Sequence, residues 1–258
     1  MSASLLPYER QLRKPAERAK ESVKRILSVT ARPFGTIIRV ATEQPTIALT
    51  FDDGPDPEET PRVLDLLANH DARATFFMVG RRAEAHPDVV ARAASEGHAI
   101  ANHSWDHVSF VRLGREARHA QLHRTAAALA PRGVPLFRPP FGEQNVASLR
   151  DAHRAGFQVV AWDVVSEDWR DYPADHLVER TMRRLRRGSI VVFHDSLYVT
   201  ENPSYRDRGP MREALATLLA RLAPTHRFVT VPELIELGRP VYWHHYHRLP
   251  AAFHQRLG

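Results

Sequence analysis

Two carboxylates stand side by side in TFDDGP (50–55), where a short apolar run turns abruptly. Neighbouring residues at a strand end point in different directions, so Asp52 and Asp53 can take different tasks. One can hold a metal ion while the other takes a proton. Taken alone, the pair also reads as an acidic turn that caps a helix. Farther on, HSWDH spaces His103 and His107 by four residues. On one helical turn that spacing puts both imidazoles on the same face, able to grip one ion. A carboxylate such as Asp53 completes a two-histidine, one-carboxylate set with open positions, which suits Zn2+ and other divalent transition metals. Two solvated histidines are the alternative, and in a chain with 15 histidines the spacing alone is a weak signal.

Two further segments bring proton chemistry. RPPFG (138–142) is stiffened by consecutive prolines, which fix φ. That stiffness can hold Arg138 against a carboxylate and aim a backbone N–H at a developing oxyanion. An ordinary loop exit with a surface arginine is the plainer reading. In SIVVFHD, His194 and Asp195 end a very apolar run, so His194 is partly desolvated. It can act as a general acid if a carboxylate orients its other ring nitrogen. A satisfied core histidine is the alternative.

The elements that must position these residues follow from periodicity. TIALTF (46–51), ATFFMV (74–79), HAIAN (98–102), PLF before Arg138, FQVVAW (157–162), SIVVFH (189–194) and RFVTV (227–231) are short apolar runs that predict strands. Between them, helical spacing predicts helices over 60–70, 82–96 and 115–130, and near 145–155, 175–187 and 210–222. Nearly all-apolar strands alternating with amphipathic helices indicate a parallel sheet covered by helices. The expected class is α/β, a distorted (β/α) barrel of about seven parallel strands, with a doubly wound sheet as the alternative. In such folds active sites lie at the C-terminal strand ends. Asp52, Asp53, His103, His107, Arg138, Asp163, Asp168, Trp169, His194 and Asp195 all follow or end predicted strands.

Composition excludes several other chemistries. The 258 residues contain no cysteine, so no disulfide, thiolate metal site or cysteine nucleophile exists. The formal net charge is +6, and residues 1–40 carry all of it: they hold nine basic and three acidic side chains, while residues 41–258 balance. The body is therefore not a nucleic-acid binder by bulk charge. No run reaches the ~18 apolar residues of a membrane span.

In order, TFDDGP, HSWDH, RPPFG, the EDW of VSEDW (165–169) and VVFHD (191–195) resemble the motif series of the polysaccharide deacetylases. This is the NodB-homology group, carbohydrate esterase family 4. The resemblance spans about residues 45–235. It implies a NodB-like distorted barrel and metal-dependent removal of acetyl groups, N-acetyl of an amino sugar above all, from a poly- or oligosaccharide or a glycan precursor. By position it implies Asp52 as general base, with Asp53, His103 and His107 as metal ligands for Zn2+ or another divalent transition metal. Arg138 resembles the residue that orients the base, and the Phe141 N–H an oxyanion donor. Trp169 and Val192 resemble walls of the acetyl pocket. His194 resembles the acid that protonates the leaving nitrogen, oriented by Asp168. The fourth motif commonly reads Asp-x-x-Asp-Trp, but Val165 stands in the first Asp position, so Asp163, Glu167 and Asp168 all stay candidates for the contact with His194. Phe141 stands where Tyr is common, which removes a hydroxyl from the rim.

The expected organisation is a basic helical arm at 1–40, the catalytic domain at 41–240 and a His- and aromatic-rich tail at 241–258, read as a packing segment. The arm carries a weak apolar stripe, Leu12, Ala16, Ala19, Val23 and Ile26, among its cations. It reads either as a helix packed across the barrel or as a peripheral contact of residues 10–31 with an anionic membrane or acidic partner. The N-terminus lacks the apolar core of a secretory signal, which leads to the expectation of a cytoplasmic protein, peripheral to the inner membrane face, with an acetylated glycan as its partner. The polar loop SLYVTENPSYRDRGP (196–210) is expected to cover the cleft and help set substrate choice. Two rival readings are a non-catalytic carbohydrate-binding protein on the same barrel and a metal-dependent amidohydrolase for a non-sugar amide.

Overall fold

The computed structural model describes residues 35–200 and 202–243. The basic helix expected over 10–31 and the tail from residue 244 lie outside the described residues. In chain order the elements are β1 (Thr36–Ala41), β2 (Thr46–Asp52), α1 (Glu59–Ala68), β3 (Ala74–Met78), α2 (Gly80–Ala85), α3 (Pro87–Ser95), β4 (Ala99–Asn102), α4 (Arg115–Leu129) and β5 (Gly133–Phe137). They continue with α5 (Val146–Arg154), β6 (Gln158–Val160), β7 (Val164–Val165), α6 (Ala174–Arg184), β8 (Ile190–His194), α7 (Gly209–Leu222), β9 (Arg227–Phe228), α8 (Val231–Glu236) and β10 (Arg239–Trp243).

The strands pair in the order β10-β1-β6-β5-β4-β3-β2-β8-β7, with β9 added beside β2. Every pairing is parallel except β1 with β10. The sheet curls into a half-barrel, and one antiparallel bridge, Arg39 to Ser189, brings β1 back against the start of β8. Gly188 makes that approach possible. Its φ is +76°, and a Cβ there would lie 2.9 Å from the carbonyl carbon of Val40, whose N–H bonds the Gly188 carbonyl at 2.9 Å.

Alternation along each strand sorts side chains between two buried layers. Ile47, Leu49 and Phe51 of β2 join Val191 and Phe193 of β8 and Val63, Leu64 and Leu67 of α1 in the outer core. Phe51 stacks between Phe76 and Phe193, with ring centroids 5.1 and 6.1 Å away. Full burial of each such side chain stabilises by about 1.5–3 kcal/mol. The alternate residues face the inside of the curl, where Ala48, Phe77, Ala101, Leu136, Val160 and Ile190 form a second core. Thr50, Asp52, Val192 and His194 belong to that inner face.

The structure differs from the sequence reading in several places, and the sheet has ten strands rather than about seven. The sheet begins at Thr36 and runs to Trp243, so it takes in the end of the expected arm and the start of the expected tail. The single helix expected over 82–96 is two, α2 and α3, separated at His86 (φ −130°, ψ 59°). Pro87 forces the residue before it out of helical backbone and then opens the second helix. RFVTV supplies a strand of only two residues, because Val231 already starts α8 behind a Thr230–Glu233 capping box. Among the described residues no helix is long and apolar enough to cross a membrane.

Candidate active site and metal centre

The parallel register builds the first row of the site. Asp52 on β2 pairs with His194 on β8 and with Phe77 on β3, which in turn pairs with Ala101 on β4. Because partners in a parallel sheet share a face, the two candidate proton-transfer groups stand on adjacent strands at one level. The next residues up, Asp53, Asn102 and Asp195, lie at the exits into loops.

Arg138 enters beneath this row from the end of β5. Its guanidinium is fully buried and donates from Nη1 to Asp52 Oδ1 at 2.6 Å and to Thr50 Oγ1 at 2.7 Å. It also bonds the carbonyl oxygens of Val160, at 3.3 Å, and Ala161, at 2.8 Å, and lies 4.0 Å over the Phe77 ring. A buried ion pair is favourable only when its remaining polar atoms are satisfied, and here each guanidinium nitrogen has an acceptor.

The candidate metal ligands meet above Asp52. Asp53 Oδ1 lies 3.3 Å from His103 Nε2 and 3.1 Å from His107 Nε2, and all three residues are buried. Asp53 Oδ2 accepts the Tyr198 N–H at 2.8 Å. His103 Nδ1 is 2.8 Å from the Arg138 carbonyl oxygen, an acceptor only, so that nitrogen carries the proton. In the neutral ring the Nε2 lone pair then faces the Asp53 oxygen. Burial pulls the His107 pKa below its usual value despite the attraction of Asp53, which favours its neutral ring. Asp53 Oδ1 is buried without a hydrogen bond. Converging acceptors in a desolvated site call for a cation, and an O/N/N set fits a divalent transition ion. The arginine carbonyl behind His103 is the kind of partner that fixes a ligand's tautomer.

The histidines do not reach this arrangement from a helix, as their spacing suggested. Residues 103–107 form an irregular loop, with Ser104 at φ 69° and His107 at φ 59°. Asn102 Oδ1 accepts the Ser104 N–H at 2.9 Å, Ser104 Oγ accepts the His107 N–H at 3.1 Å, and Gln121 Oε1 accepts the Trp105 N–H at 2.7 Å. Among the described residues six non-glycines have φ above zero: Asp53, Asp71, Ser104, His107, Phe141 and Glu167. All but Asp71 fall inside the motif segments, where the fold holds costly backbone in place.

Phe141 has φ 60°, and its ring meets the His107 ring edge-on at 4.5 Å between centroids. Its side chain therefore lies beside the metal cluster. Gly142 follows at φ 65°, tucked against Trp162.

On the far side, His194 Nδ1 lies 3.0 Å from Asp168 Oδ1, and the His194 N–H donates to Asp168 Oδ2 at 2.8 Å. Of the three acids left open by sequence, Asp168 makes the contact. Glu167 pairs with Arg180 at 2.5 Å, and Asp163 Oδ1 accepts the Ile190 N–H at 2.9 Å. Burial opposes charge on His194, but Asp168 outweighs it and pushes the imidazole up to about 9. Burial likewise opposes the Asp168 anion, and His194 and Arg208 outweigh it, so its carboxyl lies below the usual range. Trp169 is partly exposed and meets the His194 ring edge-on at 5.3 Å. Val192 is fully buried, two residues before His194 on the same strand face.

Four residues at the site had no role in the sequence reading, though Asp195 stood there among the strand-end acids. Tyr198, in the loop expected to cover the cleft, has its ring 5.6 Å from the His107 ring and 5.1 Å from the Arg82 guanidinium. Asp195 accepts from the Gly54 N–H at 3.2 Å and from Thr60 Oγ1, which pins the DDGP turn. Ser166 Oγ donates to Asp168 at 2.9 Å. Arg208 grips Asp168 from behind. A guanidinium that bonds a carboxylate forty residues back leaves no local pattern; only the Tyr-bearing loop carried a signal.

Comparison with known proteins agrees with this geometry. The family model described as polysaccharide deacetylase matches residues 39–160. A peptidoglycan-N-acetylglucosamine deacetylase of Bacillus cereus is 36% identical over 219 residues, 81% of this chain and 98% of that protein. A chitooligosaccharide deacetylase of Azorhizobium caulinodans is 34% identical over 189 residues, 72% of this chain and 90% of that protein. The crystal structure of the Bc1960 peptidoglycan N-acetylglucosamine deacetylase superposes with a TM-score of 0.70 at 31% identity, over 79% of this chain and 94% of that one. The chain belongs to the polysaccharide deacetylase family, the NodB-homology group of carbohydrate esterase family 4.

Proposed function

We propose that the protein hydrolyses the N-acetyl amide of an amino-sugar polymer or oligomer, releasing acetate and the free amine. The observation that carries this reading is the row of Asp52 and His194 on paired strands, flanking the Asp53–His103–His107 cluster. Asp53, His103 and His107 would hold a divalent ion, for which Zn2+ is proposed. When bound, that ion supplies Lewis-acid polarisation of the acetyl carbonyl and acidifies water. Asp52, fixed by Arg138, takes the proton of the attacking water. Phe141, whose ring packs against His107, is proposed to aim its backbone N–H at the developing oxyanion. His194, protonated and oriented by Asp168, gives its proton to the departing nitrogen. Trp169 beside His194 and Val192 below it are proposed to bound the acetyl methyl.

The substrate class follows from the relatives, whose names cover peptidoglycan N-acetylglucosamine and chitooligosaccharides. Acetate release from both classes by the metal-loaded protein tests the reading. Activity that survives in Asp52→Asn and His194→Gln would overturn it. The charge on residues 1–40 supports a separate proposal, peripheral contact of residues 10–31 with an anionic membrane. Equal liposome sedimentation with and without residues 1–34 would remove it.

A further inference from the structure

Arg208 stands at the start of α7, forty residues beyond Asp168, and is 2% exposed. Its guanidinium spends its donors on the Asp168–His194 pair. Nη2 donates to Asp168 Oδ2, Nη1 to the Asp168 carbonyl at 2.9 Å, and Nε and Nη2 to the His194 carbonyl at 3.2 and 3.0 Å. One further bond, 3.3 Å to the Tyr205 carbonyl, ties the 196–208 loop to the same head group. Asp168 Oδ2 thereby lies between Arg208 and the His194 N–H, while Oδ1 is left for the His194 ring and Ser166 Oγ.

This arrangement answers a problem posed by the proposed reaction, and the inference rests on that reading. With His194 protonated, the buried Asp168 carboxylate has a cation on its imidazole side. Once His194 gives its proton away, that cation is gone. A buried carboxylate left uncompensated is strongly unfavourable, which would oppose the transfer. A guanidinium stays charged throughout, and its planar fork holds the carboxylate in one orientation. We propose that Arg208 is a positioning residue for the catalytic acid: it fixes the Asp168 carboxylate against His194 and keeps it compensated as His194 releases its proton.

Three comparisons test this on the full, metal-loaded chain, with acetate release from an N-acetylated chitooligosaccharide. Arg208→Gln should lower kcat by about a hundredfold while KM moves by less than about threefold, the pattern of an interaction made in the transition state. Arg208→Lys keeps the charge without the fork and should fall between. In an Asp168→Asn background the same Arg208→Gln change should cost less than about threefold, because its partner is already neutral. Wild-type kcat in Arg208→Gln, or an undiminished loss in the Asp168→Asn background, would overturn the inference. If Arg208→Gln fails to fold, Arg208→Lys carries both comparisons.

A readout independent of turnover separates this from the functional reading. His194 faces Asp168, Arg208, Asp52 and Asp53. Loss of the Arg208 cation should make the ring hold its proton more tightly, so its NMR titration in the metal-free protein should move to higher pH in Arg208→Gln. An unchanged His194 titration refutes the inference even if no acetylated glycan proves to be a substrate. Absence of acetate release by the wild type refutes only the functional reading.

Discussion

The carbonyl of Arg138 accepts the Nδ1–H of His103 at 2.8 Å while the guanidinium of the same residue holds Asp52 at 2.6 Å. One arginine thus orients a candidate metal ligand through its backbone and the candidate base through its side chain. Arg138 can do both because β4 and β5 are neighbours: its own N–H bonds the Asn102 carbonyl at 3.0 Å, one residue before His103. Base and metal cluster are therefore mechanically joined.

Side-chain and backbone duties separate on substitution. Arg138→Met leaves Asp52 buried without its counter-ion and should destabilise the fold by about 3–5 kcal/mol. Arg138→Lys keeps a charge but cannot reach Asp52, Thr50 and two carbonyls together. It should lose about a hundredfold in kcat, within the range of general-base contributions, while retaining metal, because the carbonyl behind His103 is unchanged. Denaturant titration, kcat and metal content check these outcomes. Loss of metal in Arg138→Lys would count against the division of duties.

The metal cluster predicts a stability readout. A divalent ion at about 100 times its Kd should raise the unfolding free energy of the metal-free protein by about 2.7 kcal/mol. Asp53→Ala removes the oxygen shared by both imidazoles and should abolish the gain. Chelation should stop acetate release, and added Zn2+ should restore it. An equal rise in melting temperature for both proteins would place the ion elsewhere.

Legibility in the sequence followed backbone regularity. Asp52 and His194 end apolar runs, and the parallel-sheet rule carries such ends to one face. The histidine pair shows the limit of that logic. Spacing suggested a helical turn, but Ser104 and His107 lie in left-handed backbone that side-chain spacing does not encode. Asp163, Glu167 and Asp168 were indistinguishable because the chain turns between them. Only the register of β7 on β8, with Val165 opposite Val192, decides which carboxylate faces His194. Arg208 lay hidden in a polar loop with no periodicity. β10 pairs only with β1, which lies between it and β6, and neither β1 nor β10 carries a motif to mark it.

The His194–Asp168 pair predicts a pH window. Burial opposes the imidazolium and Asp168 outweighs it, so the folded pKa, about 9, lies above the ordinary 6.5. The folded protein then binds this proton more tightly than the unfolded chain. Its stabilisation is fully present below about pH 6.5 and is lost as pH rises through about 9. Asp168→Asn should remove that dependence in the metal-free protein. Denaturation midpoints across the window provide the check, and parallel curves for the two proteins would refute the coupling. In the loaded enzyme a divalent cation near His194 disfavours the imidazolium, so the basic limb of activity should fall at a lower pH than the metal-free titration.

Gly54 predicts a steric failure at the turn that presents both carboxylates. A Cβ built there would lie 2.7 Å from Asp195 Oδ1 and 2.8 Å from its Cγ, and closer still to Oδ2. Asp195 cannot retreat freely, since it is fully buried and bonded to Thr60 Oγ1 and the Gly54 N–H. Gly54→Ala should therefore displace the turn, destabilising the fold by about 1–3 kcal/mol. Because Asp52 and Asp53 immediately precede the displaced residue, kcat and metal affinity should fall together. Gly114→Ala is the control: nothing lies within 4 Å of a Cβ there, and both activity and stability should stay near wild type. If Gly54→Ala behaved like Gly114→Ala, the turn would be free to relax, and Asp195 would not be what holds the carboxylates in register.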